Sequence, residues 1–245
     1  MQTKEIKQTD GQLLSYSIYG AGPAVLLIHG FTMSSDMWRK NGVIDALCAS
    51  CKLIVPDLRG HGKSAKPHDP ALYGAALISD LISLLETERE NEAHVVGFST
   101  GAELALKLAT SVPERILSLL LIGSGWPGKD ILPLYHEYAS WAREADELMT
   151  PDPDFDAFDA LVTAMPDIID IPRHKVETLQ VRSAGIVGSE DPQLPNLERL
   201  IGVLKGFDVT VLPGVPHETS WRDPSLPSRI EDFLKVSFTE DELHA

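Results

Sequence analysis

Four unbroken apolar runs constrain this chain more than anything else in it: AVLLIHG from position 24, KLIVPDLRG from 52, HVVGFS from 94 and ILSLLLIGSG from 116. A strand with apolar side chains at successive positions has both faces buried, which is the habit of parallel sheets. The segments between the runs, SSDMWRKNGVIDALCAS, ALYGAALISDLISLLETE and GAELALKLATSV, carry apolar residues at helical spacing; Leu77, Leu81, Leu84 and Leu85 fall on one face. Strand and helix in alternation predict an α/β fold, a mostly parallel sheet flanked by helices. Ahead of the first run, EIKQ, a DG turn and QLLSYSIYG read as two antiparallel strands. The alternation stops after Gly125 and resumes with SAGIVGSEDP, a helix at Leu197–Lys205, the strand FDVTVLPG and a last helix near Ser228–Val236. Residues 126–180 hold no clear apolar strand, only helix-like stretches at Ile131–Met149 and, after the acidic PDPDFD, through Ala164. The expected organisation is a core of residues 1–125 and 181–245, with a helical cap, 126–180, inserted after the sixth strand. Roughly 50 residues is too long for an ordinary connection, and insertions over strand ends usually form lids or binding loops.

Composition narrows the function. At 43% hydrophobic and 23% charged residues, the chain has the make-up of a soluble globular protein. Its formal charge of −15 opposes nucleic acid and anionic membrane surfaces, and no basic patch offsets it. MQTKEIKQTDGQLLSY has no apolar run behind its lysines, and nothing approaches a membrane-spanning length, so the expected location is the cytoplasm. Cys48 and Cys51 form CASC, but no second pair completes a metal site and the pair precedes a strand instead of opening a helix. Ordinary reduced cysteines near a helix end are expected.

The sharpest local motif is Gly97-Phe98-Ser99-Thr100-Gly101. G-x-S-x-G arises by chance, but here an apolar strand leads in and a helix leads out, the setting in which a serine is forced onto a tight, strained turn. The turn also aims the Thr100 N–H, at a helix N-terminus, toward the same point. A serine nucleophile needs a base, and the base an orienting acid. Of eight histidines, His217 follows a late strand in VTVLPGVPHE, at the sheet edge that carries Ser99. His68, His136, His174 and His244 lie in polar or cap segments, and His94 sits behind the turn. Asp191, just past AGIVGSED's apolar run, suits the acid role in the order Ser, Asp, His; its neighbour Glu190 is the rival. HGF at 29–31 closes an early strand, so the N–H groups of Phe31 and Thr100 are the candidate oxyanion donors.

LIHGF, DLRGHGKS, GFSTG, GSEDP and PGVPH stand in the order seen in the α/β-hydrolase superfamily, over nearly the whole chain outside the insertion. The chain resembles the small-cap serine esterases and lactonases of that superfamily. The resemblance implies Ser99 as nucleophile, His217 as general base and Asp191 as its partner, with DLRGHGKS structural. Four positions depart from the common pattern: branched Thr100 after the serine, Ala102 and Glu103 where related haloperoxidases continue in glycine, and Pro216 before the histidine. Dehalogenase and epoxide-hydrolase relatives use an aspartate nucleophile, against which Ser99 argues.

The expected reaction is hydrolysis of a neutral, modest-sized ester or lactone through an acyl-enzyme, with no cofactor and no metal. The insertion is rich in aromatic residues, and Trp126, Tyr135, Tyr138 and Trp141 are the candidate substrate-binding residues. Its acidic character disfavours anionic substrates. The expected partner is the small molecule alone, with no nucleic acid and no membrane, and the chain a monomer or homodimer. Perhydrolase, haloperoxidase-type or lyase chemistry on the same triad, and a slow-turnover receptor, are the competing readings.

Overall fold

The structure, a computed structural model, describes residues 1–145 and 150–237. One eight-stranded sheet forms from β1 (Gln2–Lys7), β2 (Leu13–Tyr19), β3 (Ala24–Ile28), β4 (Lys52–Pro56), β5 (Ala93–Phe98), β6 (Ile116–Ile122), β7 (Arg182–Gly188) and β8 (Asp208–Leu212), in the order β1-β2-β4-β3-β5-β6-β7-β8. β1 and β2 pair antiparallel, β2 meets β4 antiparallel, and every later pairing is parallel. The helices are α1 (Met37–Lys40), α2 (Val43–Leu47), α3 (Ala75–Thr87), α4 (Thr100–Ser111), α5 (Leu132–Glu144), α6 (Phe155–Ile169), α7 (Arg173–Glu177), α8 (Leu194–Glu198), α9 (His217–Ser220) and α10 (Leu226–Ser237). Helices α5, α6 and α7 fall between β6 and β7.

The apolar runs are continuous because each central strand feeds two cores. In β3, Leu26 and Ile28 join a cluster with Leu77, Leu81 and Leu104, while Val25 and Leu27 join one with Met37, Trp38 and Ile230 on the opposite face. β6 divides likewise, Leu119 and Leu121 one way, Leu120 and Ile122 the other. Burying such side chains stabilises by about 1.5–3 kcal/mol each before chain entropy is charged against it. The segment between β6 and β7 shares the first core: Tyr135, Phe158, Leu161, Met165 and Ile168 are buried with α4 residues. Asp154 caps α6 by accepting the Ala157 N–H at 3.0 Å.

Several boundaries differ from the sequence reading. The helix expected at Leu197–Lys205 is α8, starting at Leu194 and ending at Glu198. Leu197, Leu200 and Leu204 are all buried, yet Leu200 N–H bonds to the carbonyl of Leu197 and Val203 N–H to that of Leu200, successive tight turns that Gly202 (φ 77°) permits. Helical spacing of apolar residues here records burial and not helix. The stretch read as helical to Met149 ends at Glu144; residues 146–149, Met149 among them, lie outside the described residues, as does His244. α6 runs past Ala164 to Ile169 despite Pro166, with Ile168 and Ile169 buried. No disulfide joins Cys48, half-buried past α2, and Cys51, which is buried. Among the described residues no helix is long and apolar enough to cross a membrane.

DLRGHGKS is a buried brace. Arg59 bonds Asp80 of α3 in two places, Nε to Oδ2 at 2.5 Å and NH2 to Oδ1 at 2.8 Å, and reaches Asp10 and the Leu72 carbonyl through NH1. His29 Nε2 accepts the Leu58 N–H at 2.9 Å, so Nδ1 carries the proton and donates to the Gly30 carbonyl. His61 Nε2 accepts the Thr32 N–H at 3.1 Å and Nδ1 donates to the Arg59 carbonyl. Burial holds both imidazoles neutral, and with the neighbouring His29 it pushes His61 down to about 3. In the unfolded chain both take up a proton near pH 6.5. Their folded pKa values are depressed, so their stabilisation is complete above pH 6.5 and is lost as pH falls toward 3. Each contributes a slope of up to about 1.4 kcal/mol per pH unit in that window. The Glu103 carboxyl, raised to about 7, works in the opposite sense between pH 7 and 5, so the two proteins are compared: wild-type urea midpoints are expected to fall more steeply with pH than those of His61→Gln, and an equal slope in the variant refutes this assignment.

Candidate active site

Ser99 sits between β5 and α4 at φ 54°, ψ −122°, a left-handed-side backbone rare for a residue with a Cβ. The flanking glycines are required by close approach. A Cβ on Gly97 would lie 2.2 Å from the Gly101 carbonyl oxygen, and one on Gly101 2.2 Å from that of Ile28. The turn is thereby pressed onto β3, and Ser99 points from the sheet edge while staying 6% exposed.

His217, the first residue of α9 after β8, places Nε2 3.0 Å from Ser99 Oγ. Its Nδ1 lies 2.7 Å from Asp191 Oδ2, just past β7. A carboxylate only accepts, so Nδ1 carries the proton and donates to Asp191, leaving Nε2 to accept from the Ser99 hydroxyl. Asp191 Oδ1 takes the Gln193 N–H at 2.8 Å, which fixes the carboxylate. Asp191 is buried and Glu190 exposed. The His217 ring is stacked on both sides, by Phe98 from β5 (5.7 Å between centroids, 26°) and by Tyr138 from α5 (5.8 Å, 15°).

The loop after β3 lies against the serine: a Cβ on Gly30 would come 3.2 Å from Ser99 Cβ. Among the described residues no acceptor takes the Phe31 N–H. Thr100 is the first residue of α4, where an N–H has no intrahelical partner. The Phe31 ring is wedged among His61, Tyr135 and Phe158, with centroids at 5.8, 5.9 and 5.2 Å.

A cavity of about 660 Å³ opens over Ser99 and His217. Of the four aromatic residues expected to line it, Tyr138 and Trp141 do. Tyr135 does not: it is buried, and its hydroxyl bonds Glu103 and Thr100. Trp126 does not either; its Nε1 donates to the Ile171 carbonyl at 3.2 Å and its ring packs on the core. For Tyr135 the reason is helix phase: Tyr138 and Trp141 share the face of α5 toward the cavity, and Tyr135 faces α4; Trp126 lies before the helix. Lining residues that sequence reasoning missed include Met33, Phe98 and Trp221. Trp221 stands one helical turn past His217, a spacing that could have signalled it. The rim mixes Lys40 and Arg222 with Glu137 and Glu218.

A mostly parallel sheet with serine, aspartate and histidine past the ends of β5, β7 and β8 defines a hydrolase-type architecture. The profile of the alpha/beta hydrolase fold matches residues 23–182, more than half of the chain, and the chain belongs to that family. The matched span holds Ser99 and stops before Asp191 and His217. An uncharacterized Mycobacterium bovis protein is 36% identical over 132 residues, 53% of this chain and 37% of that protein. An epoxide hydrolase from Caballeronia sordidicola is 33% identical over 167 residues, 66% of this chain and 50% of that protein. The chain thus spans half or less of the length of these curated relatives. A carboxylesterase structure from Nitrososphaera gargenis superposes with a TM-score of 0.83 at 18% identity, covering 96% of this chain and 98% of that one, which shows a shared fold.

Proposed function

We propose that this protein is a serine hydrolase that cleaves a carboxylic ester or lactone of a neutral, modest-sized substrate. The observation that carries the reading is the hydrogen-bonded line from Asp191 through His217 to Ser99 at the floor of a cavity. Ser99 attacks the carbonyl carbon while His217 Nε2 takes its proton; Asp191 stabilises the imidazolium that forms. The N–H groups of Phe31 and Thr100 receive the oxyanion, the second aided by the α4 N-terminus. His217 returns the proton to the leaving alkoxide, then activates water against the acyl-Ser99 ester. Ser99 supports ester over epoxide chemistry, since the family resemblance implies an aspartate nucleophile for epoxide hydrolases. A mixed rim of two bases and two acids supports a neutral substrate, and Leu134, Tyr138 and Trp141 offer apolar surface to its acyl or alcohol part.

Steady-state hydrolysis of p-nitrophenyl esters from acetate to octanoate tests the reading. Turnover is expected in the wild type and should fall by about 10⁴–10⁶-fold in Ser99→Ala. Rates equal in the two proteins across the whole series would overturn it.

A further inference from the structure

Beneath the nucleophile turn lies a second polar cluster that the proposed reaction does not use. Glu103, one turn along α4 from Ser99, is completely buried. Ser124 Oγ, just past β6, donates to its Oε1 at 2.8 Å, and Tyr135 Oη of α5 donates to its Oε2 at 2.5 Å. Tyr135 has one proton and gives it to Glu103, so in its 2.9 Å contact with Thr100 Oγ1 it accepts. The line runs Thr100 to Tyr135 to Glu103, with every member partnered. Desolvation is the main cause pushing the Glu103 carboxyl up to about 7, against the bonds from Tyr135 and Ser124. An ionisable group is costly at such a place, where leucine would bury at a gain. Conformational definition is what the network supplies in return.

What it defines is given by the contacts of Tyr135. Its hydroxyl holds the Thr100 side chain and its ring packs on Phe31 at 5.9 Å, so one cap residue touches both residues whose N–H groups face the oxyanion. Tyr135 and Tyr138 are neighbours on α5, three residues apart, so seating the first sets the second over the His217 ring.

Resting on the serine-hydrolase reading, we propose that Glu103 and Tyr135 are positioning residues that brace the oxyanion donors Phe31 and Thr100 and lock helix α5 onto the nucleophile helix. Neither touches the reacting atoms. The brace works because a buried carboxylate accepting two directed hydrogen bonds fixes α4, α5 and the end of β6 in one geometry. Oxyanion donors are effective only when held in place before the charge develops.

The test compares Tyr135→Phe, Glu103→Leu and Glu103→Gln with wild type, in kcat, KM, melting temperature and the Ki of phenylboronic acid, which forms a tetrahedral adduct on a nucleophilic serine. Glu103→Gln retains an oxygen for the Tyr135 proton and an amide N–H for Ser124 Oγ, so it is expected to keep kcat within about threefold of wild type. Tyr135→Phe and Glu103→Leu are expected to lose about 10- to 100-fold in kcat, the scale of a small misplacement of catalytic groups, with KM within about twofold. Ki should rise by the same factor as kcat falls, because the boronate oxygen occupies the oxyanion position. A lowered melting temperature with kcat and Ki unchanged would mean a purely structural network and overturn the proposal. Should Glu103→Leu not fold, Tyr135→Phe, which removes a single oxygen, decides. Labelling of wild-type Ser99 by a fluorophosphonate separates the two readings: a labelled wild type with an unaffected Tyr135→Phe sinks the brace alone, whereas an unlabelled wild type sinks the hydrolase reading beneath it.

Discussion

Asp191→Asn is expected to lower kcat for ester hydrolysis by about 10⁴-fold while leaving the fold intact. The direction follows from how the two carboxylate oxygens are used. Oδ1 is claimed by the backbone N–H of Gln193 at 2.8 Å, and Oδ2 by the Nδ1–H of His217 at 2.7 Å. Asparagine has one acceptor for these two donors. The backbone N–H cannot turn away, so it recruits the amide oxygen and leaves the amide NH₂ facing His217. Nδ1 must then accept, which moves the ring proton to Nε2, 3.0 Å from Ser99 Oγ. In that tautomer the imidazole offers the serine a donor where the reaction needs a base. The change also removes the negative charge that stabilises the imidazolium. Rate measurements with a p-nitrophenyl ester, set beside the melting temperature, check this. A kcat within tenfold of wild type would assign the orienting acid elsewhere, and exposed Glu190 would have to be examined by Glu190→Gln.

Asp80→Ala is expected to destabilise the protein by about 3–5 kcal/mol, the usual cost of leaving one member of a buried ion pair alone. For a chain of this length that lowers the melting temperature by roughly 10 °C. Arg59 and Asp80 are each 2% exposed in their side chains and bond in two places. Without Asp80 the guanidinium keeps only Asp10, itself 28% exposed, and the Leu72 carbonyl. Arg59 lies between Asp57, which orders the loop after β3 through the Ser35 N–H, and His61, which holds the Thr32 N–H. The loss therefore reaches the Phe31 loop, and activity should decline with stability. Replacing both partners together, Arg59→Met with Asp80→Leu, is expected to recover most of the stability, because no buried charge is then left unpaired. A double variant no more stable than Asp80→Ala, by thermal or urea unfolding, would refute the account.

The parts of this protein written plainly in its sequence are those fixed by neighbours along the chain. Unbroken apolar runs demand strands buried on both faces, and β3 and β6 are such strands, each dividing its side chains between two cores. The glycines around Ser99 are legible because a Cβ would not fit at either: on Gly97 it would lie 2.2 Å from the Gly101 carbonyl oxygen, and on Gly101 2.2 Å from that of Ile28 in β3. The order of Ser99, Asp191 and His217, past the ends of β5, β7 and β8, could be read because a parallel sheet gathers all such ends on one edge. The helix expected from Leu197, Leu200 and Leu204 shows the limit of periodicity, since turns bury the same leucines.

Tertiary structure alone decided the phase and seating of the cap. Trp126, Tyr135, Tyr138 and Trp141 are equivalent as aromatic residues in one insertion, yet two line the cavity and two do not. Tyr135, Tyr138 and Trp141 divide by their places around α5, the first bonded to Glu103 of α4 and the other two turned to the cavity, while Trp126 precedes the helix and bonds the Ile171 carbonyl. Glu103 itself was visible in the sequence as a departure from the glycines of related turns. Its partners, Ser124 and Tyr135, stand 21 and 32 residues away and meet it only when sheet and cap close over the same helix. The sequence by itself determined the sheet, the tight turn at Ser99 and the strand ends, because local backbone sterics and burial on two faces leave few alternatives. The packed molecule decided which side chains face the cavity and which brace it, because those depend on distances between segments that no local pattern encodes.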